Sequence, residues 1–262
     1  MNSILYEINL FVFAVILFAA ILIIHILGVR IGTYRREKNP ASVADGIGPL
    51  ETALLGLLSL LLSFTFSMSA SRYDARRTAI VTEANDISTA ILDADLYPDS
   101  IRIDLRKDLE QYLDERINYY QYSDEKDIVA SLLKTQSIHL AIWKKVAGLS
   151  HDPSNIVRSY HMIPALHDIA AAAVSRDALR VARVPYTIIW LLIILVLLGS
   201  FVIGYAKKQR KNDWVMLSIY AVMTVITLFT ILDLDNPHNG LITTHRTHTK
   251  MEEVRDMFKE NS

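Results

Sequence analysis

An uninterrupted stretch that begins at Leu50 constrains this chain more than any other feature. Its first part is apolar as far as Ala70, which is about the 20 residues that a helix needs to cross a bilayer. Charged residues follow at once, and no proline or glycine stands between Ala70 and Ile87. Because nothing stops the helix at the end of its apolar part, we predict that it leaves the membrane and continues past Arg77 into a soluble part of the protein.

Three further apolar stretches have the length of membrane spans. They run from about Ile4 to Val29, from Tyr186 to about Tyr205 and from Trp214 to about Leu232. The chain of 262 residues is 52% hydrophobic, and the clustering of these residues is typical of a polytopic membrane protein. Ser200 and Gly204 form a small-xxx-small pair, which predicts a close helix contact in the third span.

Between the second and third spans the chain is polar, and its apolar residues recur at helical spacing. We expect helices near 101–117, 124–146 and 163–181, the second of them capped by Ser123 or Asp124. With the end of the long helix they would form a bundle. The expected fold is therefore all-α, with spans one and two in residues 1–70, a soluble helical domain in 71–183, spans three and four in 184–233 and a polar tail in 234–262.

One face of the helix that begins at Leu50 is small and hydroxylated, whereas the opposite face is rich in leucine. This face, which we call the hydroxyl stripe, holds Thr52, Gly56, Ser59, Ser63, Phe66 and Ser67, with Ala70 at its end. Two interpretations remain open. Small residues and hydroxyl groups allow neighbouring helices to pack closely. The same groups can line an ion pore, in which Phe66 would form a constriction.

Basic residues in two short loops predict the orientation in the membrane. The first loop covers 30–40 and the second 207–211, and each carries several lysines or arginines. Because basic loops face the cytoplasm, this rule places the helical domain and both termini outside. Arg72, Arg76 and Arg77 lie on the other side and weaken the asymmetry.

No enzymatic chemistry stands out in the sequence. A glycine-rich phosphate loop, a nucleophile elbow and a His-Glu-x-x-His motif are all missing, and the chain has no cysteine for a thiolate site. A net charge of −1 offers no basic surface for nucleic acid. We therefore expect neither an enzyme nor a cofactor.

Two acidic groups could bind a cation, but we prefer a structural interpretation of both. The first group lies near the tail and consists of Asp233, Asp235, His238, His245 and His248. A helix would put His245 and His248 on one face, but three threonines in this segment disfavour a helix. We interpret its two aspartates as a water-exposed helix end. Glu83, Asn85 and Asp86 are interpreted as a solvated helix face, so no metal site is predicted.

Several segments resemble the bacterial bestrophin-like domain family, formerly catalogued as a domain of unknown function. They are Ser67-Met-Ser-Ala-Ser-Arg-Tyr-Asp-Ala-Arg-Arg77, Glu83-Ala-Asn85, Asp93-Ala-Asp-Leu96, and the closing Leu232-Asp-Leu-Asp-Asn-Pro237 with Gly240-Leu-Ile242. The resemblance covers most of the chain and implies four transmembrane helices per subunit, a ring of subunits and a pore lined by the second helix. It also implies a cytosolic helical domain, whereas the loop charges place that domain outside; we follow the charges.

We therefore predict a multi-pass ion channel of the bacterial inner membrane that conducts anions in preference to cations. The hydroxyl stripe would line its pore, and Arg72, Arg76 and Arg77, which we call the basic mouth, would concentrate anions. The expected partners are membrane lipid, ions and further copies of the chain, with a pentamer as one arrangement of the ring. The alternative is a non-conducting sensor or scaffold that binds a ligand or partner through its helical domain.

Overall fold

The regular structure of the chain is α-helical. A computed structural model describes residues 9–38, 47–122, 124–207, 214–236 and 240–259, and no β-strand occurs among them. The helices in these residues are α1 (Leu10–Lys38), α2 (Ile47–Ala94), α3 (Asp99–Tyr119), α4 (Glu125–Leu149), α5 (Ile156–Val181), α6 (Tyr186–Ala206), α7 (Trp214–Leu234) and α8 (His245–Asp256). The predicted all-α class is confirmed.

Four helices are long and apolar enough to cross a membrane: α1, α2, α6 and α7. Helix α2 is 48 residues long and runs without a break from Ile47 to Ala94. The prediction that the helix of the second span continues past Arg77 is therefore confirmed. Pro49 lies in its first turn, where the missing N–H of proline has no cost.

The chain divides into two compact units. Unit 1 consists of Met1–Tyr73 and Arg183–Ile242, and unit 2 consists of Asp74–Ala182 and Thr243–Ser262. Unit 1 holds α1, the apolar part of α2, α6 and α7. Unit 2 holds the remainder of α2 with α3, α4, α5 and α8.

In unit 1, helices α1 and α6 approach so closely at their glycines that no larger side chain fits at these positions. A Cβ atom at Gly28 would lie 2.3 Å from the carbonyl oxygen of Phe201, and one at Gly204 would lie 2.3 Å from that of His25. The Ser200 hydroxyl donates a hydrogen bond of 2.8 Å to the carbonyl of Ile21. The close contact predicted at Ser200 and Gly204 is confirmed, and its partner is α1.

Helix α1 continues through residues that the sequence assigned to a loop. It ends at Lys38, so the basic residues from Arg30 onwards are helical. Arg36 donates hydrogen bonds to the carbonyls of Tyr205 and Lys207. The last carbonyl groups of a helix have no hydrogen-bond donor within it, and Arg36 supplies donors at this end of α6. No proline occurs in the chain before Pro40, and this contact supports the last turns of the helix.

Unit 2 has one apolar core, which all of its helices share. Fully buried members include Ile87, Leu109, Ile142, Leu166 and Met251, from α2, α3, α4, α5 and α8 respectively. Asp124 caps α4 by accepting a hydrogen bond of 3.0 Å from the backbone N–H of Lys126, as predicted; the alternative cap, Ser123, lies outside the described residues.

Two helices of unit 2 differ from the sequence-based expectation. Helix α5 begins at Ile156 rather than near Ile163, and Pro164 lies inside it, because the fully buried Met162 gives the first turns a core contact. The polar tail contains α8 despite its threonines, because Met251 and Val254 are buried in the core of unit 2.

Candidate functional site

The hydroxyl stripe is exposed in the single chain. Ala70 at its end is half-buried, whereas the six residues before it are all exposed: Thr52, Gly56, Ser59, Ser63, Phe66 and Ser67. The same part of α2 buries its opposite face, where Leu58 and Thr65 are each 3% exposed and Ser69 is 0% exposed. The hydroxyl stripe is therefore not the surface on which α2 packs within one subunit.

A second, apolar strip lies beside the hydroxyl stripe on the exposed side of α2. Leu57, Leu60 and Phe64 are 47%, 52% and 64% exposed. An apolar strip suits lipid or a neighbouring subunit, whereas a strip of serines suits water or an ion. The exposed side of this part of α2 therefore has two parallel strips, one apolar and one rich in serine.

The three arginines of the basic mouth have different surroundings. The guanidinium of Arg72 lies 3.8 Å from the carboxylate of Asp235. Arg76 is only 5% exposed and donates a hydrogen bond of 3.3 Å to the carbonyl of Ala182. The Arg77 side chain is 52% exposed and lies 3.8 Å from Asp74. Helical spacing puts Arg77 alone of the three on the face of the hydroxyl stripe.

The two aspartates at the end of α7 are buried, so the prediction of a water-exposed helix end is wrong. Asp233 is 1% exposed and accepts hydrogen bonds of 2.8 and 2.9 Å from the backbone N–H groups of Leu241 and Ile242. Asp235 is 0% exposed and accepts one of 2.7 Å from the backbone N–H of Val184. The two carboxylates are the hydrogen-bond acceptors of these buried backbone N–H groups, in place of water. Through its bonds to Leu241 and Ile242, Asp233 holds the chain that follows α7 close to the end of that helix.

Glu83 is buried as well, although the sequence predicted a solvated face around it. Its carboxylate receives a hydrogen bond from Nε of Arg116 and one of 2.7 Å from Nη1 of Arg176. Glu83 and Arg116 are 0% exposed, and Arg176 is 6% exposed. Burial raises the pKa of Glu83, but the two guanidinium groups outweigh it and hold the pKa below its usual value.

Aromatic rings surround this buried charge cluster of Glu83, Arg116 and Arg176. The guanidinium carbons of Arg116 and Arg176 lie 4.7 and 5.3 Å from the centre of the Tyr119 ring. Nε2 of His248 lies 3.3 Å from Nη2 of Arg176. The ring of Tyr120 stacks on the ring of His248, with 3.5 Å between the ring centres. The ring faces stabilise cations that water cannot reach.

The metal cluster considered for the tail is not found in the described part of the chain. No group of three or more metal-binding side chains occurs there. His248 is instead occupied by Tyr120 and Arg176, and His238 lies outside the described residues.

The described residues combine three features. They contain four candidate spans, the second of these belongs to the long helix α2, and two buried aspartates lie at the end of the fourth. The family model for the Bestrophin-like domain matches residues 13–248, which is most of the chain. The chain belongs to the bestrophin-like family. No curated protein matches this bestrophin-like sequence.

Crystal structures of a bacterial bestrophin homolog from Klebsiella pneumoniae have the same fold as this bestrophin-like chain. One variant aligns with a TM-score of 0.72 at 13% identity, covering 95% of this chain and 98% of the homolog. A second variant gives 0.69 at 14% identity over 94% and 98%. The structure phased with zinc gives 0.67 at 13% identity over 92% and 98%. Such identities establish a shared fold.

Arg116 and Arg176 were not predicted to be buried, because arginine is usually a surface residue. A signal was nevertheless present. Arg116 continues the buried face of Leu109 and Leu113 at helical spacing, and Arg176 continues that of Ile169. A charged residue on an apolar face indicates a buried partner of opposite charge.

Proposed function

We propose that this protein is a homo-oligomeric ion channel of the bacterial inner membrane. The observation that carries the proposal is the hydroxyl stripe, a face of small and hydroxyl-bearing residues on a candidate membrane span that its own subunit leaves uncovered. A polar face is costly against lipid, so it requires either water or a partner. A ring of subunits, such as a pentamer, satisfies it by turning each stripe towards a common axis.

Each part of the hydroxyl stripe has a proposed role in this channel. The hydroxyl groups of Ser59, Ser63 and Ser67 replace part of the hydration shell of a passing ion. Thr52 and Gly56 line the end of the path near the start of α2, and Phe66 narrows it. The neighbouring apolar strip of Leu57, Leu60 and Phe64 faces lipid or the next subunit.

Anions are the proposed cargo because the positive side chains follow the hydroxyl stripe along α2. Arg77 lies on the same face and is half-exposed, so it is the member of the basic mouth best placed to meet an ion. Arg76 adds to the positive field while it binds the neutral carbonyl of Ala182, whereas the charge of Arg72 is offset by Asp235. Unit 2 is proposed to lie in water as a helical domain between the second and third spans.

Replacing Ser63 by Leu tests the pore lining. A lumen accepts the added volume, so the oligomer should keep its size in chromatography, while chloride flux into liposomes should fall at least tenfold because a hydrophobic ring repels water. Thr227→Leu is the matched control, since the Thr227 hydroxyl on α7 bonds the carbonyl of Met223 in its own helix at 2.8 Å. This variant should conduct like the native protein.

The opposite result would favour a non-conducting sensor or scaffold. In that case the hydroxyl stripe is a packing surface between subunits, and a leucine overfills it at a cost of about 1–3 kcal/mol. Dissociation of the Ser63→Leu oligomer, together with native protein that passes no ions, would refute the channel.

A further inference from the structure

A cleft in unit 2 lies between α4 and α5, with α3 as its floor. Its volume is about 360 Å³, which is within the range of small-molecule sites. Most of its wall is apolar, from residues such as Leu132, Leu140, Ala170 and Ala173. Leu140 is 47% exposed and Val174 is 71% exposed, so the cleft opens at these residues.

Two buried polar groups that line this cleft, one on α3 and one on α4, lack a hydrogen-bond partner in the part of the chain that the structure describes. Arg116 lines the cleft, and both of its terminal Nη groups are unpartnered within the described residues. Thr135 also lines it; its hydroxyl is unpartnered in the same part of the chain, and the residue is 4% exposed. Buried donors without partners are costly, so they indicate a missing ligand or water.

Charge balance around Arg116 specifies the ligand further. Two buried guanidinium groups, on Arg116 and Arg176, face the single carboxylate of Glu83, which leaves one positive charge in excess. The other acidic side chain at the wall, Asp177, lies 3.0 Å from Arg180 and accepts a hydrogen bond of 3.0 Å from the hydroxyl of Tyr119. Arg180 also lies 3.2 Å from Glu125, but the Glu125 side chain is 70% exposed, so water screens its charge. The floor is therefore suited to one negative charge.

We propose that this cleft binds a small monocarboxylate with an apolar body. Its carboxylate accepts hydrogen bonds from the Nη groups of Arg116 and from the Thr135 hydroxyl, and so completes the charge balance of the cluster. Its hydrocarbon part lies against Leu132, Ala170 and Ala173. A chloride ion satisfies the charge but leaves the apolar volume empty, which is why we infer an organic acid.

The test uses purified full-length protein in detergent, with 4-methylpentanoate as the probe and isothermal titration calorimetry as the readout. The acid should bind, and 4-methylpentanamide, which has the same shape without the charge, should bind at least tenfold more weakly. Ala173→Leu fills the cleft and should abolish binding. Ala171→Leu on the exposed side of the same helix should leave it unchanged. Thr135→Val should weaken it about tenfold.

Arg116 itself is not substituted in this test because its loss would disturb the core around Glu83. Absence of binding by the native protein overturns the proposal, including the case in which a neighbouring subunit fills the cleft in the oligomer. Equal binding of acid and amide, or binding unaffected by Ala173→Leu, overturns it as well. The readout is binding rather than ion flux, so the result is independent of the proposed channel.

Discussion

Replacing Glu83 by Gln is expected to destabilise unit 2 by about 3–5 kcal/mol, because it removes one member of a buried charge cluster. Arg116 and Arg176 would then face one another in the interior without their shared carboxylate. Thermal unfolding followed by circular dichroism in detergent should show a clearly lower midpoint. Glu110→Gln, on the exposed side of α3, is the matched control and should unfold like the native protein.

The same cluster predicts how stability depends on acid. The pKa of Glu83 in the folded protein lies below its ordinary value of 4.5. The group therefore contributes its full stabilisation above pH 4.5 and loses it as the pH falls through the folded pKa. Below that pKa, native and Glu83→Gln proteins should approach one another in stability. A difference that stays constant down to the lowest pH would contradict the role given to this carboxylate.

Replacing Gly204 by Ala is expected to disrupt unit 1. The new Cβ would lie 2.3 Å from the carbonyl oxygen of His25, which is backbone and cannot rotate away. Helices α1 and α6 would have to separate along their contact, and the cost is at least the roughly 1–3 kcal/mol typical of overpacking. Yield of folded protein in detergent and the midpoint of thermal unfolding are the measurements.

Gly56 provides the matched control for this glycine effect. A Cβ at Gly56 meets no atom within 4 Å in the single chain. Gly56→Ala should therefore leave unfolding unchanged, or stabilise α2 by up to about 1 kcal/mol because alanine favours a helix. Equal damage from both substitutions would contradict the helix contact described for Gly204.

Much of the fold could be predicted because it depends on local patterns. Apolar length identified the four candidate spans, and the missing breaker between Ala70 and Ile87 identified the continuous helix α2. Ser200 and Gly204 indicated a close contact before its partner was known. Each of these signals is a property of one segment, so the sequence alone contains it.

The buried charges could not be predicted in the same way because they depend on distant residues. Glu83 lies at helical spacing from the buried Ile80 and Ile87, but its charged partners lie on two other helices, and nothing in its own segment identifies them. In the sequence, Asp233 and Asp235 are simply polar residues near a helix end. Their burial is explained only by the backbone N–H groups that they bind in the folded chain. Orientation in the membrane stays a prediction from the loop charges, and parts of those loops lie outside the described residues.

The hydroxyl stripe could be predicted in part from the sequence and in part only from the fold. Its residues share one face by helical spacing alone, which the sequence showed. That the subunit leaves this face uncovered is known only from the fold, since Leu58 and Thr65 on the opposite side are buried instead. The pore lining itself requires the arrangement of several subunits.

The most direct test of the channel is a current recording on Ser63→Cys protein, which the absence of native cysteine makes selective. We expect chloride currents in planar bilayers that a negatively charged, water-soluble thiol reagent largely blocks. Leu58→Cys, on the buried face of α2, should not respond to the reagent. If no current is observed, or if the reagent affects the two variants equally, the hydroxyl stripe does not line a conducting pore.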